Sequence, residues 1–146
     1  MNDTVAPQLI YLVRHGRTHL NAEGRLRGRA DPQLDDTGRH EAARTAAALT
    51  GSGIVGVVTS PLARAVQTAV AIEGRLHVQH VVDPRLADRD YGPQTGRTEA
   101  EVAAEFGSLD AAPGVEPSAD LARRAMAALS EAAGRFAPDP VAVVSP

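Results

Sequence analysis

Leu9-Ile10-Tyr11-Leu12-Val13 runs straight into Arg14-His15-Gly16, and the reading of this junction decides the fold. Its five apolar residues form a short continuous run, the pattern of a strand buried on both faces of a parallel sheet. Residues 54–59 and 77–82 repeat the signal more weakly, and Val141-Ala142-Val143-Val144 supplies a fourth run. Helical segments lie between. Residues 37–49 are rich in Ala and stop near Gly51. Ser60-Pro61 starts a second helix, with Ser as N-cap and Pro at the first helical position. That helix is expected to end near Ile72, with Gly74 as its C-terminal cap. Thr98-Glu99-Ala100-Glu101 reads as a capping box for a helix that stops before Gly107. Ser118 is expected to cap the longest helix, in which Leu121, Ala125, Ala128, Leu129, Ala132 and Phe136 recur at helical spacing. Strands alternating with helices predict an α/β fold: three layers, α/β/α, around a mainly parallel sheet. Residues 107–118, with several Gly, Pro and Ser, read as a loop rather than a domain boundary.

The 146 residues suffice for one domain with a real core, so residues 1–146 are expected to form a single domain. Aromatic residues are only 3% of the chain, which leaves the core to Ala, Val, Leu and Ile. All 15 basic side chains are Arg. A net charge of -3 offers no field for nucleic acid or an anionic membrane. The chain has no Cys, which excludes disulfides, thiolate metal sites and a cysteine nucleophile. No apolar run approaches the roughly 20 residues that a membrane span requires. Residues 1–7 lack a basic region followed by an apolar run, so no signal peptide is expected and a cytoplasmic location is the default.

In open α/β sheets ligands sit beyond the carboxyl ends of the strands. Arg14-His15-Gly16 follows the first strand there. Ser60-Pro61-Leu62-Ala63-Arg64 follows the second and puts Arg64 in the first turn of a helix, whose N-terminus favours anions. Asp88-Arg89-Asp90-Tyr91-Gly92 comes shortly after the third. Two arginines, a histidine and a carboxylate therefore converge on one rim. Arg grips phosphate oxygens bidentately and spreads charge from a transferring phosphoryl group. A neutral imidazole attacks phosphorus and holds the phosphoryl group covalently, and neighbouring arginines disfavour the imidazolium. A carboxylic acid protonates the leaving alkoxide. This chemistry needs neither metal nor cofactor. His77 and His80, three apart in a presumed strand, would face opposite ways and so not share an ion. The Arg25-Leu26-Arg27-Gly28-Arg29 stretch suits attraction of an anionic phosphoester better than nucleic acid, since no aromatics interleave it.

Leu12-Val13-Arg14-His15-Gly16-Arg17-Thr18, with Asn21, Gly28 and Leu34-Asp35-Asp36-Thr37-Gly38 behind it, resembles the opening of the histidine phosphatase superfamily, in its phosphoglycerate mutase-like branch. Residues 59–69 resemble the family's second block, and residues 85–92 with Gly96 its third. The resemblance implies His15 as the phosphohistidine nucleophile, Arg14 and Arg64 as the phosphate clamp, and Asp88 as proton donor where the family usually has Glu, with Asp90 as the competitor. It also implies Thr18, Asn21, the Gly28 backbone and Tyr91 as substrate contacts. The family's fourth strand leads into a step such as Ser-His-Gly, whose His completes the phosphate pocket. Here Ser145 is followed by Pro146, which fits a chain lacking that C-terminal part.

The resulting expectation is a metal-independent phosphomonoesterase acting on a small phosphorylated metabolite. The alternatives are phosphoglycerate mutase-type transfer and a catalytically impaired phosphoester-binding module. An exposed sheet edge would favour a homodimer.

Overall fold

The computed structural model describes residues 6–146, and its strand order departs from chain order. The signal-peptide expectation falls largely on residues 1–5 and lies outside the described residues. Among these, β1 (Ile10–Arg14), β2 (Val57–Thr59), β3 (His80–Val82) and β4 (Val141–Ser145) form one sheet in the order β1-β4-β2-β3. Every pairing is parallel. The register sets Val13 and Thr59 on either side of Val144, and Arg14 beside Ser145. The carboxyl ends of three strands thus finish level. The chain leaving β1 remains tied there, because the His15 amide donates to the Ser145 carbonyl at 3.2 Å.

The helices are α1 (His19–Ala22), α2 (Asp36–Ala48), α3 (Ala63–Leu76), α4 (Glu99–Phe106) and α5 (Ser118–Phe136). On one face of the sheet, Ala46 of α2 and Ala65, Ala69 and Ile72 of α3 pack on Val13, Val57, Ala142 and Val144. On the other, Ala128 and Ala132 of α5, with Leu86, cover Val58, Val141 and Val143. Alternate residues of β2 and β4 therefore serve opposite layers, as the two-residue period of a strand requires. The small Ala side chains bring the helices close to the sheet. A third cluster, Leu26, Val102 and Ala112, joins α4 to residues 107–118 and to the segment around Leu26.

Five expectations about the strands and caps need correction. The run that opens the chain is not a strand buried on both faces. β4 takes the central position and is buried from Val141 to Val144, whereas β1 is an edge strand with Leu12 70% exposed. Hydropathy reports how apolar a segment is, not which neighbour reaches it, and α5 does not cover Leu12. Ser60 does not cap α3 either. Its Oγ accepts from the Leu62 amide at 3.3 Å, the helix begins at Ala63, and the free Ala63 amide is met from outside by Asp31 Oδ1 at 2.7 Å. At its other end α3 runs through Gly74 to Leu76, and His77, at φ 56°, takes the left-handed cap. His77 is therefore not in a strand, and His80 instead bonds the Glu73 carboxylate through Nδ1. Nor does Ser118 cap α5. It is the first helical residue after Pro117, and no side chain caps that end. The Thr98–Glu101 capping box and the stop at Gly107 are present as expected.

Among the described residues no helix is long and apolar enough to cross a membrane.

The loop leaving β1 meets the start of α2 through two glycines. A Cβ on Gly38 would lie 2.0 Å from the Arg17 carbonyl oxygen, and one on Gly16 would lie 2.3 Å from the Gly38 carbonyl oxygen. Both obstructions are backbone, which cannot swing aside. Gly38→Ala should therefore lower stability by about 2–3 kcal/mol, read as a shift in the urea midpoint; an unchanged midpoint would contradict this close approach.

Candidate active site

His15 is the first residue beyond β1, and its ring is buried, with the residue 5% exposed. Nδ1 lies 2.6 Å from the carbonyl oxygen of Gly16. A carbonyl only accepts, so Nδ1 carries the hydrogen and Nε2 keeps the lone pair. Nε2 has no partner. Burial pushes the imidazole down to about 4, and the charges of Arg64, Arg27 and Arg14 push the same way against the Gly16 bond. At neutral pH the ring is an uncharged imidazole of fixed tautomer, with the lone pair of Nε2 open.

Arg64 sits in the first turn of α3 with no exposure. Its Nη1 donates to the Ala30 carbonyl at 2.9 Å, and its Nη2 donates to the Gly28 carbonyl at 3.1 Å and to Asp88 Oδ2 at 3.0 Å. Gly28 has φ 52°, a conformation that L side chains rarely adopt. Asp88 follows the short 3-10 turn Pro84–Leu86 that leaves β3. Its Oδ1 accepts from the Arg89 amide at 2.8 Å, and its Oδ2 also lies 3.6 Å from Nη2 of Arg27.

Thr18 and Asn21 form a reciprocal cap on α1. The Thr18 hydroxyl and amide both donate to Asn21 Oδ1, at 2.8 and 3.0 Å. This fixes which end of the amide faces the turn and leaves Nδ2 without a partner. Thr18 is fully buried behind Asn21, its hydroxyl occupied.

A cavity of about 490 Å³ opens between the loop after β1 and the segment holding Arg25 and Arg27. His15, Arg14, Asn21 and Tyr91 line it together. Arg64, Gly28 and Asp88 form a bonded group behind it, and Arg27 belongs to both, since it lines the cavity and approaches Asp88. Asp90 bonds the Gly92 amide at 2.8 Å instead, and so shapes the turn into Tyr91. Burial raises the Tyr91 hydroxyl above its usual range and keeps it protonated.

Among the described residues, the buried side-chain polar atoms without a hydrogen-bond partner are His15 Nε2, Asn21 Nδ2, Arg27 Nε and Arg64 Nε. One is a lone pair and three are donors; His15, Asn21 and Arg27 line the cavity, and Arg64, whose charge acts on the His15 ring, belongs to the bonded group behind it. Buried polar groups are otherwise satisfied in folded proteins, so such a set marks a place shaped for a ligand. An anion with several acceptor oxygens would answer the three donors while its central atom meets the lone pair.

Sequence reading missed Arg27, which it placed only in a diffuse basic stretch. The available signal was an apolar residue between two arginines: Leu26, 8% exposed, belongs to the third core cluster and anchors the segment, and Arg25, Leu26 and Arg27 all line the cavity. Glu41 and Glu99, also missed, bring carboxylates to the same wall from α2 and α4.

A profile of the histidine phosphatase superfamily (branch 1) matches residues 10–145, and the chain belongs to that family. Among curated proteins, it is similar to a probable phosphoglycerate mutase of Cronobacter sakazakii, 39% identical over 57% of this chain and 39% of that one. It is also similar to a glucosyl-3-phosphoglycerate phosphatase of Mycolicibacterium vanbaalenii, 37% identical over 64% of this chain and 41% of that one. The chain thus spans less than half the length of these relatives. Among solved structures, YhfR of Bacillus stearothermophilus superposes with a TM-score of 0.85 at 28% identity, over 94% of this chain and 73% of that one.

The buried His15 ring gives a test by titration. Its folded value near 4 lies below the ordinary 6.5, so the unfolded chain binds the proton more readily. The stability contributed by the neutral ring is complete above pH 6.5 and is lost as the pH falls towards 4. An NMR titration of the ring should show a midpoint near pH 4; a midpoint near 6.5 would contradict its burial among guanidinium groups.

Proposed function

We propose that this protein is a phosphomonoesterase that works through a phosphohistidine on His15. The observation that carries the reading is the set of four unpartnered buried nitrogens, one lone pair and three donors, three of them on residues that line the cavity and the fourth on Arg64, whose charge acts on the His15 ring. Family membership and the phosphatase name of one relative support it.

The substrate phosphoryl group enters between Arg14, Arg27, Arg64 and Asn21. His15 Nε2 attacks phosphorus as the bond to the leaving oxygen breaks, and Asp88 gives that oxygen a proton to form a neutral alcohol. The guanidinium groups hold the charge of the equatorial oxygens through this step. Water then attacks the phosphorus of phospho-His15 and gives its proton to Asp88, and the P–N bond breaks. Phosphate leaves and His15 is again neutral. Arg64 has a double part. In the free protein it pairs with Asp88, and when phosphate takes over the guanidinium the carboxyl is free to carry the proton it donates. The shorter arm of Asp, compared with the family's Glu, suits a carboxyl that already lies 3.0 Å from the phosphate-binding guanidinium. A cavity of about 490 Å³ has room for a small organic group beside the phosphate, which favours a small phosphorylated metabolite.

The reading is tested with p-nitrophenyl phosphate in the presence of a chelator. His15→Asn should lower phosphate release by about 10³-fold or more while leaving the fold intact. Brief incubation of the unmodified protein should leave an acid-labile phosphoryl group on His15. Equal turnover by both proteins, or a phosphoryl group on another residue, would overturn it. Arg27→Ala should lower kcat/KM by about 10²-fold; no change would remove Arg27 from the clamp.

A further inference from the structure

The loop that presents Asp88 is held from behind by one side chain of α5. A guanidinium has five N–H donors, and in Arg124 all five are in use. Nε donates to Glu116 Oε1 at 2.7 Å, and Nη2 donates to Glu116 Oε2 at 2.8 Å and to the Asp88 carbonyl at 3.1 Å. Nη1 donates to the carbonyls of Arg85 and Ala87, both at 2.6 Å. Three backbone carbonyls within four residues thus converge on a single planar group.

Glu116 does more than balance charge. Its Oε2 accepts from the Asp90 amide at 3.1 Å, its own amide donates to the Asp90 carbonyl at 2.7 Å, and its carbonyl accepts from Arg89 Nε at 2.8 Å. Together the pair reaches residues 85, 87, 88, 89 and 90. Both side chains are largely buried, at 19% and 15% exposure, and the bond to Arg124 holds the Glu116 carboxyl down to about 2. It therefore stays ionised throughout the pH range in which the protein would work. Neither residue lines the cavity.

We propose that Arg124, locked by Glu116, is a positioning residue that fixes the Asp88 carboxyl for proton donation. The proposal rests on the reading of Asp88 as the proton donor. The phosphate-binding groups stand on other segments: Arg14 on β1, Asn21 on α1, Arg27 before Gly28 and Arg64 on α3. Loosening the Asp88 loop should therefore impair protonation of the leaving group and leave phosphate recognition in place. A misplacement of about 1 Å at a reacting group costs on the order of 10²-fold. Lys in place of Arg124 offers one nitrogen and cannot reach three carbonyls and a carboxylate at once.

The experiment compares Arg124→Gln and Arg124→Lys with the unmodified protein on two substrates. p-Nitrophenolate leaves without help from an acid, whereas the alkoxide of glycerol 3-phosphate must be protonated. The expected result for both variants is a loss of kcat/KM, which reports phosphorylation of His15 and not the later hydrolysis of phospho-His15, of about 10²-fold on glycerol 3-phosphate. On p-nitrophenyl phosphate kcat/KM should stay within about threefold, with inhibition by vanadate unaltered. Arg124→Gln combined with Asp88→Asn should be no slower than Asp88→Asn alone. Equal losses on both substrates, weakened vanadate binding or undiminished turnover of glycerol 3-phosphate would overturn the proposal. Amide hydrogen exchange on the same proteins supplies a readout that needs no turnover. Arg124→Lys should speed exchange at residues 85–92 and leave α2 and α3 unchanged, and uniform or unaltered exchange would overturn the positioning role. Absence of turnover in the unmodified protein would instead count against the phosphatase reading.

Discussion

A guanidinium withdrawn wholly from water has to be surrounded by acceptors, and Arg64 organises the rim through that demand. Removing one partner from such a buried pair costs about 3–5 kcal/mol, which makes the arrangement close to all-or-none. The acceptors come from two distant loops: the carbonyls of Gly28 and Ala30 on one side and the Asp88 carboxylate on the other. Asp31 of the first loop also closes the exposed amide of Ala63, so the same segment satisfies both the helix start and the side chain one residue on. The loops that shape the cavity are thus tied to α3, and α3 is tied to the sheet through Ala65, Ala69 and Ile72.

The electrostatics of the rim run against those of the whole molecule. The chain carries a net charge of -3, yet Arg14, Arg27 and Arg64 all act on the His15 ring. Their effect and that of burial have the same sign, and together they keep Nε2 free of a proton. Such a ring remains available to an electrophile while the charges around it favour a dianion. The acidic residues that balance the composition are mostly elsewhere or directly paired, as with Asp83 and Glu131 on Arg85 and Asp110 on Arg89.

Much of this was legible in the chain because it is written locally. The Arg14-His15-Gly16 step, Arg64 at a helix start and the Thr98–Glu101 box each depend on residues within a few positions, and each stands where its pattern puts it. What escaped depends on partners far along the chain. Asp31 meets Ala63 across 32 positions, and Arg124 meets the Ala87 carbonyl across 37. No periodicity encodes such pairings. The burial of β1 belongs with these, since its apolar character is local but its place at the sheet edge follows from where β4 inserts. Arg27 lies between the two cases. The apolar residue between two arginines is local, but its meaning depends on a core cluster built from Val102 and Ala112.

The strand order has a consequence for how this chain acquires its shape on the ribosome. β1 is made first and β4 more than a hundred residues later, yet β4 lies between β1 and β2. Until β4 emerges, β1 lacks its hydrogen-bonding neighbour among the described strands, and the Ser145 carbonyl that receives the His15 amide does not yet exist. The helices of the first half can form and meet each other early, since α2 and α3 pack together, but the sheet closes only as a late insertion. Contacts of such long sequence separation are formed slowly because the intervening chain must be closed into loops first. The nascent chain therefore carries His15 on a segment without its β4 partner for more than a hundred residues of synthesis, and the Ser145 contact beside the cavity forms only after that.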